Sequence, residues 1–270
     1  MIDKKIGIIG CGNMGEALLK GLSRSMEKST SLMVSEFDSK RRDYIQSTYK
    51  IIVEVDNNLV VKFSDVIILA VKPKDFERLL KNEICCGISK KKLLISIAAG
   101  ITTKYIESIV GKDMPVIRAM PNMAATIGES ISSISAGSAA GVEHMMLAED
   151  IFSTIGEVVE VGEELADSVT AISGSGPAYF FYMVESLIEA AVNLGLEKNV
   201  AKKLVLKTAI GSAKLLEALK EDPAVLRAKV ASKGGTTEAA INFFESKKFR
   251  NIVKDAAKEA RKRSRELSGG

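Results

Sequence analysis

The sequence predicts an α/β fold in its first half and an all-α fold in its second, and three observations carry that prediction. Up to about residue 164, short β-branched runs alternate with amphipathic stretches, the sequence form of a parallel sheet covered by helices. A G-x-G-x-x-G turn, Gly10 to Gly15, follows the first of those runs directly. Further along, strand-like runs stop and long helical patterns succeed one another.

In chain order the candidate strands are Lys5–Ile9, Leu32–Ser35, Val66–Ala70, Leu93–Ile97, Pro115–Arg118, Ile131–Ala136 and Val158–Val161. Helices are read among them over Gly15–Ser25, Ser39–Thr48, Pro73–Glu83, Thr102–Ile109 and Gly141–Ile155. This is the order of an open α/β sheet, and it assigns residues 1–163 to one domain and residues 164–270 to another, all-helical one. In the second domain, Pro177–Leu194 is apolar nearly all round, and the next stretch sets Leu204, Thr208, Leu215 and Leu219 on one face. Helices that apolar would stay partly uncovered within one chain, so the pattern predicts a helical dimer interface.

Composition excludes several chemistries. With 270 residues, 46% of them hydrophobic and 27% charged, the chain can bury a sizeable core. The single histidine, His144, excludes a multi-histidine metal site, and no metal is expected. Nothing near it has the spacing of an orienting partner, so it reads as an exposed helical residue. Three cysteines, Cys11 and the adjacent Cys85 and Cys86, give neither a disulfide framework nor a CxxC site and suit a reducing compartment. No apolar run has the length of a membrane span and no leader is evident, so the expected location is the cytoplasm. Net charge is 38 minus 34, or +4, and the basic run Lys258–Arg265 reads as a solvated terminal helix, with no nucleic-acid partner expected.

The turn Gly10-Cys11-Gly12-Asn13-Met14-Gly15 carries the first chemistry. Its glycines permit, in order, a tight turn, the close approach of a pyrophosphate and close helix–sheet packing, and the helix N-terminus offers unpaired N–H groups to the phosphates. The first domain is therefore read as a Rossmann-type dinucleotide-binding domain. Cofactor choice falls to the segment beginning Ser35-Glu36: the Glu36 carboxylate would repel the extra phosphate of NADPH and favours NADH, while Ser35, Lys40 and Arg41 argue the other way.

A second anion site is read at Ser232-Lys233-Gly234-Gly235-Thr236-Thr237, where paired glycines precede two threonines able to cap a helix. Converging amides there suit a carboxylate, and an ordinary helix cap explains the local sequence equally well. The segment Ser173–Pro177 opens another helix and lacks the glycine placement of a nucleophile elbow.

Seven motifs, in order, then point to a family: Ile9–Gly15, Ala70-Val71-Lys72-Pro73, Ser96–Gly100, Arg118-Ala119-Met120-Pro121-Asn122, Ser173–Tyr179, Gly234–Thr237 and Lys262–Leu267. In these, nearly end to end, the chain resembles the pyrroline-5-carboxylate reductases, which complete proline synthesis. The resemblance implies a Rossmann-type domain followed by an all-α dimerisation and substrate-binding domain that interlocks in a homodimer, often assembled further into a decamer. It implies NADH or NADPH bound along Gly10, Gly12, Asn13, Met14 and Gly15, at Ser35 and Glu36, at Ala70, Val71, Lys72 and Pro73, and at Asn57 and Ala99. It implies substrate held by Ser232, Gly234, Gly235, Thr236 and Thr237, with the Thr237 hydroxyl near the ring nitrogen. Two departures stand out: Glu36 replaces a small polar or basic residue of many NADP-preferring members, and Lys233 replaces a common proline.

The implied reaction is hydride transfer to the C=N carbon of 1-pyrroline-5-carboxylate, giving L-proline. A cyclic imine can bind already protonated, so the enzyme positions the substrate and excludes water more than it donates a proton. The lone histidine is consistent with that chemistry. A β-hydroxyacid dehydrogenase would share the domain plan but needs a catalytic lysine constellation not apparent here. A redox-sensing nucleotide binder would leave the Gly-Gly-Thr-Thr turn unexplained.

Overall fold

The computed structural model describes residues 2–26, 29–84 and 88–267, so the Cys85–Cys86 pair lies outside the described residues. Residues 6–160 form an eight-stranded sheet with its covering helices. The strands are β1 (Ile6–Ile9), β2 (Leu32–Ser35), β3 (Ile52–Glu54), β4 (Val66–Leu69), β5 (Leu93–Ser96), β6 (Val116–Met120), β7 (Ser130–Ala136) and β8 (Gly156–Glu160). They lie in the order β3-β2-β1-β4-β5-β6-β7-β8. All pairs are parallel except β6 with β7. The segment 121–129 joining β6 to β7 is shorter than a crossover requires, so the chain must reverse there.

The helices of this half are α1 (Asn13–Ser25), α2 (Ser39–Tyr49), α3 (Asn57–Phe63), α4 (Pro73–Leu79), α5 (Thr103–Val110) and α6 (Val142–Phe152). Strand alternation divides the core between the two faces of the sheet. Ile6, Ile8, Val34, Ile68 and Ile117 pack with Leu18, Leu22 and Phe152. Ile9, Ile67, Leu69 and Val116 pack with Phe76 and Ile106 on the opposite face. Two elements were absent from the sequence reading. The three-residue β3 exists because Met33 pairs with Ile52 and Ser35 with Glu54, and α3 starts where the Asp56 carboxylate accepts the Asn58 N–H at 2.9 Å.

Two compact units emerge, residues 1–175 with 260–270, and residues 176–259. The first continues past the sheet into α7 (Ala166–Val169) and a π-helical turn, Thr170–Gly174. The second comprises α8 (Gly176–Asn193), α9 (Lys198–Leu219), α10 (Pro223–Val230), α11 (Thr236–Ser246) and the start of α12 (Phe249–Leu267). Among the described residues, α8 to α11 bury Gly176 and Ala201 and nothing else. Phe180 is 75% exposed and Leu194 86%. A helical unit in that state lacks the core that would hold it alone.

The lysines and arginines of the basic run Lys258–Arg265 are exposed, as a solvated helix requires. In the first unit Ser264 is buried, its hydroxyl donates to Asp167 Oδ1 at 2.8 Å, and Arg265 Nε lies 3.7 Å from Asp167 Oδ2. No helix among the described residues is long and apolar enough to cross a membrane.

Candidate functional site

In a sheet of this order the chain leaves β1 towards β2 on one side and β4 on the other, which opens a crevice at the carboxyl ends of the strands. The glycine turn lies at that switch point. Gly10 N–H donates to Ser35 O at 2.9 Å, and Ala70 N–H donates to Ile9 O at 2.8 Å, so three strand ends meet there. Gly10 has φ +87°, and a Cβ on it would stand 2.9 Å from Ala70 O. At Gly15 a Cβ would stand 2.3 Å from Gly10 O, so any larger residue would push α1 off the turn. Gly12 differs: no atom lies within 4 Å of its would-be Cβ. It N-caps α1 with no side-chain bond, so no cap side chain covers the first-turn amides of Asn13 and Met14. Unpaired amides, a positive helix end and a surface without side chains together make a cradle for a pyrophosphate.

Beside the turn lies a cleft of about 520 Å³, lined by Ser35, Glu36, Phe37, Asn57, Val71 and Arg78 among others. Glu36 Oε2 accepts the Cys11 N–H at 2.9 Å and Oε1 accepts the Asp38 N–H at 3.0 Å. The carboxylate is thus held at the end of β2, where a ribose diol is read in folds of this kind. Asn57, the first residue of α3, donates to Glu83 Oε2 at 2.6 Å. Ser35 is buried and its hydroxyl has no partner among the described residues.

The two arginines after β2 are engaged elsewhere. Arg42 donates to the Glu36 and Phe37 carbonyls at 3.0 and 2.6 Å. Arg41 Nε donates to Cys11 O at 2.8 Å, and its guanidinium pairs with Glu16. Cys11 itself is chemically quiet, because burial pushes its thiol up to about 12.

The remaining sequence-selected positions of this half close the other side of the crevice. Ala70 and Val71 follow β4, Lys72 N-caps α4 and Pro73 is its first residue. Ala99 is exposed on the turn after β5, beside Gly100 with φ +79°. The structure therefore brings Gly10 to Gly15, Ser35, Glu36, Asn57, Ala70 to Pro73 and Ala99 to the carboxyl ends of β1, β2, β3, β4 and β5. Phe37, Val55 and Arg78 also line the cleft and were not anticipated. Phe37, 91% exposed, was recoverable from its place directly after Glu36.

In the helical unit the second turn has a different geometry from the one expected. Gly234 sits at φ +74° and Gly235, not a threonine, N-caps α11. Thr236 and Thr237 are the first two helical residues, with no threonine hydroxyl acting as cap. A Cβ on Gly235 would stand 2.6 Å from the Ser232 hydroxyl, which ties Ser232 to the turn. Glu238 folds back, and its Oε2 accepts the Gly234 N–H at 2.7 Å. One amide is thereby occupied by an internal carboxylate, in the position an external one would compete for.

His144 is the third residue of α6, half-buried, with Nδ1 accepting the Gly141 N–H at 3.0 Å. It is a helix-start residue, with a local backbone partner the sequence did not reveal. Arg118 is fully buried on β6, its Nη1 3.5 Å from Glu163 Oε1, while Glu163 also accepts the Thr103 N–H at 2.7 Å.

Comparison with known proteins follows this layout. Residues 163–267 match the family described as pyrroline-5-carboxylate reductase dimerisation, and residues 5–100 match the family described as NADP oxidoreductase coenzyme F420-dependent. A pyrroline-5-carboxylate reductase of Synechocystis is 40% identical over 97% of this chain and 98% of its own length. One from Corynebacterium melassecola is 37% identical over 97% and 98%. A solved pyrroline-5-carboxylate reductase from Coxiella burnetii superimposes with a TM-score of 0.92 at 33% identity, covering 99% of both chains. A Plasmodium falciparum pyrroline carboxylate reductase solved with NADP bound gives 0.88 at 30% identity, again over 99% of both.

Proposed function

This chain belongs to the pyrroline-5-carboxylate reductase family, and from that premise we propose that it reduces 1-pyrroline-5-carboxylate to L-proline with a nicotinamide cofactor. The observation that carries the proposal is the glycine turn at the switch point, with open space over Gly12 and uncapped amides at the start of α1. A bound dihydronicotinamide supplies the hydride for the C=N carbon.

The chain's own residues bind and orient. The amides of Gly12 to Gly15 meet the pyrophosphate, Glu36 meets the adenosine ribose, and Asn57, Ala70 to Pro73 and Ala99 border the rest of the cofactor. The turn Ser232–Thr237 receives the substrate carboxylate, with Glu238 yielding the Gly234 N–H to it. Thr237 orients the ring nitrogen. An iminium that arrives protonated needs no histidine acid, in keeping with a His144 occupied at a helix start. Glu36 favours NADH over NADPH, supported by its fixed carboxylate and by the internal engagement of Arg41 and Arg42. The uncovered helices of residues 176–259 support a homodimer, and assembly of dimers into a decamer extends that reading.

The test is oxidation of NADH and of NADPH with pyrroline-5-carboxylate, run beside the six-membered cyclic imine. Turnover of the five-membered substrate is expected, and none with either cofactor would overturn the proposal. Glu36→Arg is expected to raise the NADPH-to-NADH ratio of kcat/KM about tenfold or more, by removing repulsion and adding a phosphate partner. An unchanged ratio would remove Glu36 from cofactor selection.

A further inference from the structure

Glu16 stands in the first turn of α1, directly after the glycine turn, and is 20% exposed. Three side chains converge on its carboxylate: Arg41, Tyr44 through its hydroxyl at 3.0 Å, and Tyr49 through its hydroxyl at 2.9 Å. Burial alone would raise its pKa, but the hydrogen bonds from Tyr49, Arg41 and Tyr44 outweigh burial and leave it lowered, so the group is a persistent anion. That is a large set of donors for a carboxylate so close to a phosphate cradle, where its charge would repel the phosphates of a bound nucleotide.

The consequence lies in Arg41. Its backbone N–H is held by the Asp38 cap at 2.8 Å, its Nε donates to Cys11 O at 2.8 Å, and its Nη2 donates to Glu16. The N–H of the same Cys11 is held by Glu36. Arg41 and Glu36 therefore flank one residue of the glycine turn, and the side chain best suited to grip a phosphate on the ribose is turned inward beside the carboxylate that meets a ribose diol.

We infer that Glu16 is a specificity-determining residue: by holding the Arg41 guanidinium against the glycine turn, it withholds a cation from the ribose 2′ position and keeps the cleft selective for a nucleotide without a 2′-phosphate. Two acids then set selectivity in different ways. Glu36 acts by its own charge at the cleft, and Glu16 acts through Arg41. The inference rests on the dinucleotide reading of the cleft and not on the identity of the imine.

The test uses two small probes and no turnover. Adenosine 5′-monophosphate and adenosine 2′,5′-bisphosphate are titrated calorimetrically into the full chain as native protein, Glu16→Gln, Arg41→Gln and the double variant. In Glu16→Gln the affinity for the bisphosphate should rise about tenfold relative to the monophosphate, the gain of one charge-assisted phosphate contact. In the double variant that gain should vanish, because the released cation is gone. A gain that persists without Arg41 would mean simple loss of negative charge and would overturn the inference, as would no gain at all. Glu16→Asp, which keeps the charge but shortens the reach, should show the same selective gain, and it decides the matter if Glu16→Gln does not fold. If native protein binds neither probe, the dinucleotide reading falls and the inference falls with it. If it binds the monophosphate and Glu16→Gln gains nothing, the inference alone falls.

Discussion

The two units of this chain use apolar residues in opposite ways. The sheet unit has buried clusters on both faces of its strands, with Phe76 and Phe152 fully enclosed. The helical unit has comparable side chains and leaves them outside, with Phe180, Phe181 and Tyr182 consecutive on α8 and all more than 60% exposed. Hydrophobic content is thus no measure of self-sufficiency. What matters is whether the pattern closes on itself, as alternation in the strands does and as an all-round apolar helix cannot.

The strongest way to break this comparison is to truncate one aromatic ring in each unit. Phe76→Ala should lower the unfolding free energy by about 3–5 kcal/mol, the usual loss for an enclosed ring plus the cavity it leaves. That loss should be the same at every protein concentration in denaturant titrations of the sheet transition. Phe180→Ala should lower the midpoint mainly at low concentration, because its cover would come from a second copy by mass action. A Phe180→Ala effect independent of concentration would show that the helical unit is covered within its own chain.

A second pair of substitutions compares structural with functional glycine inside the sheet unit. Gly12→Ala should leave the fold intact, since its Cβ meets no protein atom, yet weaken NADH binding roughly 100-fold, about 2.7 kcal/mol, by filling the pyrophosphate space. Gly15→Ala should weaken both, because its Cβ would press on the Gly10 carbonyl. Calorimetric titration and thermal denaturation of the two variants read this directly, and normal NADH affinity in Gly12→Ala would move the cofactor off the turn.

That glycine pair also shows what was legible in the sequence. The strands Ile6–Ile9, Val66–Leu69 and Leu93–Ser96 are short buried runs bounded by turns, so their assignment needed only local pattern. The short β3 was not legible, because Ile52-Val53-Glu54 is a strand only by pairing with β2. At the candidate site, the glycine spacing and Glu36 were visible, since each stands at a fixed place in a motif. The engagement of Arg41 was not, because its partner Glu16 lies on another helix and is adjacent only after folding. In the helical unit the turn was found but its cap was assigned to threonine, whereas the positive φ at Gly234 makes Gly235 the cap.

On the helical side, Thr237→Ala should reduce kcat about tenfold, or ~1.4 kcal/mol, by removing one orienting hydrogen bond, with KM for the cofactor unchanged. Since α11 has no threonine cap to lose, its stability should fall by under about 1 kcal/mol. Steady-state kinetics with thermal denaturation separates the two. Unchanged kcat would take Thr237 out of the mechanism, and a large loss of stability would make its role structural.

The smallest effect belongs to His144, and it tests the chemistry most sharply. A carbonyl reductase needs an acid to protonate the developing alkoxide, and removing that acid typically slows turnover by about 10²–10⁴-fold. An iminium becomes a neutral amine as hydride adds, so no such acid is required. The His144 ring accepts a backbone N–H through Nδ1 at the start of α6, a contact that glutamine can replace through its side-chain oxygen. His144→Gln should therefore keep kcat/KM within about twofold of native and change stability by less than ~1 kcal/mol, the scale of a single helix cap. A loss of several orders of magnitude would mean that the one histidine in the chain donates a proton, and the substrate would then have to be something other than a pre-protonated imine.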